Sequence, residues 1–538
     1  MNKPLLISLA AATLLTNNLS AETMYERFQT MELEINSLKE EVKSLRAETK
    51  KSVKLDDEED EESQEPEEDE EKPDEAKDSD DESSEKEEES DEDEEEISIE
   101  EVFEELEESI SELNKATSGN RLKLGVDYRF AVDNLQYKMV DGSKAENDAF
   151  MTNRFWLNMN WAANENLSFT GQLAYNKSFG ARSGANMMNA PYDTFDWIVN
   201  ENAYDDTVRI RSAYFLYRND TFFETAIPWT FSIGRRPSTN GHIINLRDDD
   251  KAASPMGHSI NVEFDGLSSK FSFDEWVDGM YVKFCAGRGM SNAAPKFSAA
   301  PYADDDNANP NIDLIGLIFT PYDNGQYSIN TQYYYANNLI DANMETGGFD
   351  TVGSMHSFTA NFIANGIGDE INDYLDDSIF FISGAMSATD PDSDQRMLYA
   401  AMDENGPTET GESKTGYSFW TGLQMPSFIT DDGRWGLEYN YGSEYWRSIT
   451  YGEDTNIGSK IAARGSAYEA YFTEYLVEDI LSLQVRYTYV DYDYSGSNGF
   501  FGGTTGASMS MDDVKAFGMG SQVVDTAQDI RFYIRYKY

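Results

Sequence analysis

The 538-residue chain has one cysteine, Cys285, so no intrachain disulfide framework can form. It has three histidines, His242, His258 and His356, with no pair at helical or strand spacing, so no histidine metal site is expected. Cations are scarce: 42 Lys and Arg stand against 100 Asp and Glu, and the formal net charge is −58. A nucleic-acid binder needs the opposite balance. No apolar run reaches the roughly 18 residues that a membrane-spanning helix needs. That excludes a helical membrane protein but not a β-barrel, whose alternating strands average out in a hydropathy window. None of the three histidines lies near an obvious Ser elbow, no constellation meets the needs of a placed nucleophile, and Phe501-Gly502-Gly503 lacks the Lys and following helix of a phosphate loop. Neither an enzyme, a cofactor nor a bound metal is expected.

Aromatics are abundant. Tyr (32), Phe (30) and Trp (8) make up 13% of the chain, a mixture that suits aromatic girdles. The first 21 residues carry an early Lys3, an apolar stretch from Pro4 to Leu15 and the ending Leu19-Ser20-Ala21. That is the layout of a cleaved signal peptide over 1–21, too short in its apolar part to span a bilayer. No cysteine follows it, so a lipid anchor is not expected.

Residues 22–52 predict a coiled-coil helix. Met24, Phe28, Met31, Ile35, Leu38, Val42 and Leu45 follow heptad spacing, which fits either an oligomerising coil or one amphipathic helix lying on a barrel or on peptidoglycan. Residues 53–96 form an acidic spacer. Such a segment buries too little apolar surface to offset its ordering entropy and predicts disorder. A solvated spacer and a weak divalent-cation sponge both fit it. Heptad spacing returns at Ile99, Phe103, Leu106, Ile110 and Leu113, predicting a second amphipathic helix over 97–118 that stops at Gly119.

From residue 120 to 538 the period is two. Leu122, Leu124, Val126, Tyr128 and Phe130 alternate with Arg121, Lys123, Gly125, Asp127 and Arg129. Similar alternation recurs at 154–161, 167–176 and 434–441. Further strands are expected to begin near Val208, Trp229, Asn261, Met280, Asp313, Tyr327, Phe358, Ile379, Tyr417, Ala467 and Leu481, and the last runs from Ile530 to Tyr538. The count is about 16, with 14–18 allowed. A soluble sheet can also alternate, but the connections add a second signal. Short ones alternate with long ones at 132–149, 178–206, 237–258, 287–311, 336–354, 388–414, 442–465 and 491–525. Short periplasmic turns and long outer loops are the rhythm of a transmembrane barrel. The fold expected is an all-β transmembrane antiparallel β-barrel behind an N-terminal α-helical coiled-coil stalk.

Three stretches carry a family resemblance: Val208 to Tyr217 (VRIRSAYFLY), Ile233 to Gly241 (IGRRPSTNG) and Asn261 to Leu267 (NVEFDGL). With the order of signal peptide, coiled coil, charged spacer and barrel, the chain resembles a family of outer-membrane porins from epsilon-class proteobacteria. The last strand, with Ile530, Phe532, Ile534, Tyr536 and Tyr538 on one face, resembles the C-terminal signal read by the barrel assembly machinery. The resemblance implies a Gram-negative outer-membrane location with the stalk in the periplasm, lipid as the surrounding partner, and passive diffusion of small hydrophilic solutes or ions. A homo-oligomer through Met24–Leu45 and contact with peptidoglycan stay open. So do a substrate-specific channel and a structural surface protein tied to the cell wall by its stalk.

A porin of the general type folds its third outer loop inward as a constriction. Here that loop is 237–258. It follows Arg235 and Arg236, carries Arg247, Asp248, Asp249, Asp250 and Lys251, and is expected to face Arg209 and Arg211 across the pore. Ion pairs that merely pin the loop are the competing expectation. Surplus acid in the barrel suggests cation preference. Asp304 to Asp306, and Asp390, Asp392 and Asp394, lack the Gly and distal Glu of a calcium loop and read as solvated loop tips.

Overall fold

The computed structural model describes residues 122–179, 208–238, 241–293, 302–304, 310–343, 348–368, 371–398, 402–403, 406–407, 410–430, 433–450, 453–496 and 507–538. The chain divides into two units, Met1–Glu94 and Glu95–Tyr538, and every described residue belongs to the second. The expected signal peptide, coiled coil, acidic spacer and second helix lie outside the described residues.

Sixteen long strands follow one another: β1 (Leu122–Met139), β2 (Lys144–Ala162), β3 (Leu167–Ser178), β4 (Arg209–Asn219), β5 (Trp229–Ser238), β6 (Ile260–Ser272), β7 (Tyr281–Met290) and β8 (Ile312–Asp323). The second eight are β9 (Tyr327–Asn343), β10 (Gly348–Asn365), β11 (Ile379–Pro391), β12 (Thr415–Pro426), β13 (Arg434–Gly442), β14 (Gly465–Val477), β15 (Leu481–Tyr492) and β16 (Val524–Lys537). Each pairs antiparallel with the next. β16 returns to β1, from Asp127 opposite Lys537 to Met139 opposite Val524. The last residue still takes part, because Tyr538 and Val126 exchange two 2.8 Å backbone hydrogen bonds. A closed ring leaves no sheet edge unpaired.

Register keeps one chemistry on each face. Val126 lies opposite Leu157 and Tyr128 opposite Phe155 on the outside, whereas Asp127 lies opposite Trp156 on the inside. A slip of one residue would turn every carboxylate and guanidinium outward. Outward side chains are apolar and exposed, among them Phe284, Ile315, Leu437 and Ile530, each close to half exposed or more. A continuous apolar belt of this kind is untenable in water and matches a lipid interior. Aromatic contacts border the belt at both ends. Tyr217, Trp229, Phe222 and Phe271 cluster at the end with the short turns, and Tyr439, Tyr468 and Tyr489 form a row nearer the other.

Seven short connections lie at one end of the barrel: 163–166, 220–228, 273–280, 324–326, 366–378, 427–433 and 478–480. The connection at 366–378 carries one helical turn, α2 (Asp373–Asp376), capped by the Asn372 side chain. Two expected outer loops need correction. Most of 132–149 and of 336–354 is strand, since β1 and β2 are separated only by 140–143, and β9 and β10 only by 344–347. These hairpins run past the apolar belt, so polar residues such as Gln136 and Glu146 occupy their outer face and apolar ones such as Leu135 and Tyr137 point inward, the reverse of the belt's pattern. The last strand likewise begins at Val524, six residues before Ile530. The segment 259–273 holds a single strand, β6.

Candidate functional site

Two outer connections turn into the lumen. The first is loop 3, residues 239–259, with the helical turn α1 (Ile244–Arg247). The second is loop 7, residues 443–464. They interlock: Arg247 donates to the Glu453 carbonyl, and Ile449 and Thr450 pair in parallel with Ile260 and Asn261. Loop 7 can enter because Gly416 leaves room. A Cβ there would sit 2.2 Å from the backbone of Tyr445 and Trp446. Trp446 then ties the two ends of the loop, donating from Nε1 to the Ile461 carbonyl at 2.8 Å.

Apolar side chains seat both loops. Ile243 and Ile244 of loop 3 and Ile461 of loop 7 pack with Ile363, Phe381 and Trp420 of the wall. His258 lies between two wall hydroxyls, with Nδ1 2.7 Å from Ser383 Oγ and Nε2 2.9 Å from Ser418 Oγ. Burial pushes its pKa down to about 3, so the ring stays neutral at ordinary pH.

Around this seat lies a buried charge core. Asp454 sits at positive φ (64°), a conformation Asp tolerates better than most residues. It takes a two-pronged contact from Arg129 at 2.5 and 2.6 Å and a third from Arg531 at 3.0 Å. Burial alone would push its pKa up, but the guanidiniums of Arg129, Arg531 and Arg486 hold it well below the usual carboxylate range. Lys460 bridges Glu438 at 2.6 Å and Glu469 at 2.5 Å, and Arg247 meets Glu469 at 3.1 Å. Asp133 pairs with Arg531. Five cations (Arg129, Arg247, Lys460, Arg486 and Arg531) thus share this core with seven carboxyl groups (Asp133, Asp248, Glu438, Glu453, Asp454, Glu469 and Asp529), all 8% exposed or less. Glu453 shares Lys460 and Arg247 with two other acids, Glu469 and Glu438. Burial pushes its pKa up to about 7, Lys460 and Arg247 oppose the shift, and Glu469 and Glu438 add to it.

The residues expected at a constriction divide into three groups. Arg247, Asp248, Asp249 and Asp250 do fold into the lumen. The three acids, however, do not face Arg209 and Arg211. Asp249 meets Arg434 at 2.8 Å and accepts from the Tyr475 hydroxyl. Asp250 meets Arg535 at 3.0 Å and Lys537 at 2.7 Å, and the Asp248 carbonyl accepts from Arg535. These partners stand near the short-turn end of β13, β14 and β16, beside a cavity of about 670 Å³ that Lys251 and Tyr538 also line. Arg211 and Arg236 face the lumen. Arg211 donates to Gln172 at 2.7 Å and lies over the Trp156 ring, and Arg236 lies over the Tyr214 ring. Arg209 is opposite Ala174 on the same inward face. Arg235 is the correction. It points outward, paired with Asp265 at 3.6 Å, because adjacent strand residues face opposite sides. Ile530, Phe532 and Ile534 also project outward, and Tyr538 continues the strand.

The two loops occupy the side of the lumen bounded by β8 to β16 and β1, where the cavity of about 670 Å³ remains at the short-turn end. The other side is lined by β2 to β7 and holds a cavity of about 420 Å³ between Ala253 and Ser254 of loop 3 and the wall at Asn158, Gln172, Arg211 and Arg236. Loop 7 and the lumen lysines Lys270 and Lys283 are not among the residues expected at the constriction from the sequence. The missed signal for loop 7 is the density of Trp446, Ile449, Ile457, Ile461, Ala462 and Ala463 in a stretch otherwise placed outside.

A closed sixteen-stranded antiparallel barrel with an apolar belt, a charged lumen and inward-folded loops is a transmembrane barrel of the porin type. More particularly, the chain belongs to the family described as protein of unknown function DUF3373, whose family model matches residues 144–538. No curated protein matches it. Among solved structures, the chain is similar to Salmonella typhi OmpF in complex with daunomycin, at 12% identity and TM-score 0.42, over 78% of this chain and 99% of that one. It is similar to Pseudomonas putida OprB at high pH, at 11% identity and TM-score 0.41, over 80% and 97%. It is also similar to OmpT, an outer membrane protein of Vibrio cholerae, at 12% identity and TM-score 0.38, over 77% and 99%.

Proposed function

We propose that the protein is an outer-membrane porin through which small hydrophilic solutes or ions diffuse passively. The observation that carries this reading is the divided lumen. Loops 3 and 7 are anchored to one side of the wall, and the polar wall of β2 to β5 borders a cavity on the other. Transport of this kind needs no reacting group, only a pore of limited width and a wall of defined charge. The outward row of Ile530, Phe532, Ile534, Tyr536 and Tyr538 serves as the signal for barrel assembly. The 22–52 heptads hold the chain in the periplasm, as an oligomer or against peptidoglycan. The full-length protein in planar bilayers should give discrete, long-lived conductance steps. A folded, heat-modifiable barrel that inserts yet stays silent would sink the porin reading and favour a structural surface protein.

A further inference from the structure

The two sides of the lumen differ in the sign of their charge. On β8 to β16 and β1, carboxylates and cations face inward together. On the inward face of β2 to β7, from Thr152 to Met290, every charged side chain among the described residues is basic: Arg154, Arg209, Arg211, Arg218, Arg236, Lys270 and Lys283. Arg154 is paired with Asp127 at 3.3 Å. Four others, Arg218, Arg236, Lys270 and Lys283, have no carboxylate within ion-pair distance among the described residues. Their contacts are neutral. Arg218 reaches Ser168 Oγ. Arg236 donates to the hydroxyls of Ser232 and Ser268. Lys283 donates to Ser254 Oγ of loop 3 at 2.7 Å. Lys270 Nζ stands 4.0 Å from the centre of the Tyr281 ring.

Lys270 and Lys283 are also directly opposite each other across β6 and β7. Like charges in that register repel and destabilise a sheet. One strand away, Arg236 folds back onto Ser232 and Ser268, which form the next inward-facing row. Three cations and three hydroxyls thus converge with no carboxylate in ion-pair contact among the described residues, while Asp274 and Asp323, at the short-turn end, act on Lys270 only from further away. A low-dielectric, narrow lumen strengthens the field they create and concentrates ions of opposite sign.

We propose that Arg236, Lys270 and Lys283, with the hydroxyls of Ser232, Ser254 and Ser268, form a binding station for a small oxyanion, and that the passage beside loop 3 prefers anions. The station rests on the porin reading for its role in transport, but not for its chemistry. The ammonium and guanidinium groups neutralise the oxyanion, and the serines complete its hydrogen bonds. The acid surplus of the whole chain does not argue for cations here, because the lumen acids lie in the packed side, among buried cations.

Two measurements on the full-length protein test this. In bilayers under a KCl gradient, the reversal potential should show chloride preferred over potassium, and added inorganic phosphate should reduce the chloride current in a saturable way. The double substitution Lys270→Gln and Lys283→Gln should weaken that block by roughly tenfold or more and move selectivity towards potassium. Arg236→Lys, which keeps the charge, should retain anion preference. Cation preference in the unaltered protein, or a phosphate block that ignores the double substitution, would overturn the station while leaving the porin reading intact. If the inserted barrel is silent, ³¹P line broadening on the detergent-solubilised protein decides the question independently. Broadening lost in the double variant supports the station, and no broadening in the unaltered protein refutes it.

Discussion

The two sides of the barrel's interior are built from the same residue types and do opposite things with them. Around loop 7, Arg129, Arg247, Lys460, Arg486 and Arg531 are buried against carboxylates and tie inward-folded loops to the wall. Across the lumen, Arg218, Arg236, Lys270 and Lys283 meet only hydroxyls and aromatic rings among the described residues. What separates a structural cation from a candidate functional one is therefore its partner, not its inward direction. A buried charge is tolerated only when paired, so the packed side must come close to neutrality. A wall that borders water can keep an uncompensated field.

The substitution expected to break this comparison most severely is Lys460→Met. It leaves Glu438 and Glu469 as buried carboxylates short of a counter-ion. Removing one partner of such a pair costs about 3–5 kcal/mol. Loop 7 should release, single-channel conductance should rise, and thermal unfolding should come earlier. If conductance and unfolding stay at their original values, the charge core is not what holds the loop.

A smaller effect of defined sign comes from Glu453. Its pKa is raised from the ordinary 4.5 to about 7 by burial. An acid shifted upward on folding favours the folded loop below its unfolded value and loses that contribution as pH rises through the folded one. The seating of loop 7 should thus weaken between pH 4.5 and about pH 7, with open-channel noise increasing over that window. Glu453→Gln should flatten the dependence. His258 slopes the other way. Its lowered pKa means that its contribution is present above 6.5 and is lost as pH falls towards about 3. His258→Phe removes one partner from each of the Ser383 and Ser418 hydroxyls, which keep the Ala360 and Tyr441 carbonyls, a cost of roughly 1 kcal/mol. Earlier unfolding, measured at pH 7, checks it.

The strand count was legible in the sequence because the bilayer imposes it. Wherever a strand meets lipid on one face and the lumen on the other, residues must alternate, and the alternation located all sixteen long strands. Legibility ended where the lipid ended. The hairpin ends at Asp133–Asn147 are polar outside and carry Leu135 and Tyr137 inside, the reverse of the belt's pattern, and read as loop. The interior was harder still, since its contacts join residues far apart in the chain. Arg129 meets Asp454 at a separation of 325 residues, and Arg247 meets Glu469 at 222. No local pattern encodes those partners. Loop 3 was found by its place in the topology, and loop 7, which has no such precedent in the reading, was passed over despite its apolar residues.

The mildest substitution sharpens the comparison most, because it acts one residue away from a site expected to matter. Arg235 and Arg236 are adjacent in β5 and read alike in sequence, yet the first lies on the outer face beside Asp265 and the second in the lumen beside Ser232 and Ser268. Arg235→Gln removes an ion pair whose side chains are 33% and 67% exposed, worth about 1 kcal/mol or less. It should leave conductance and reversal potential unchanged, and Arg236→Gln should shift the reversal potential with little effect on unfolding. The converse pattern, selectivity moved by Arg235 and not by Arg236, would mean that β5 sits one residue out of the described register, and the inward face of β2 to β7 would have to be redrawn.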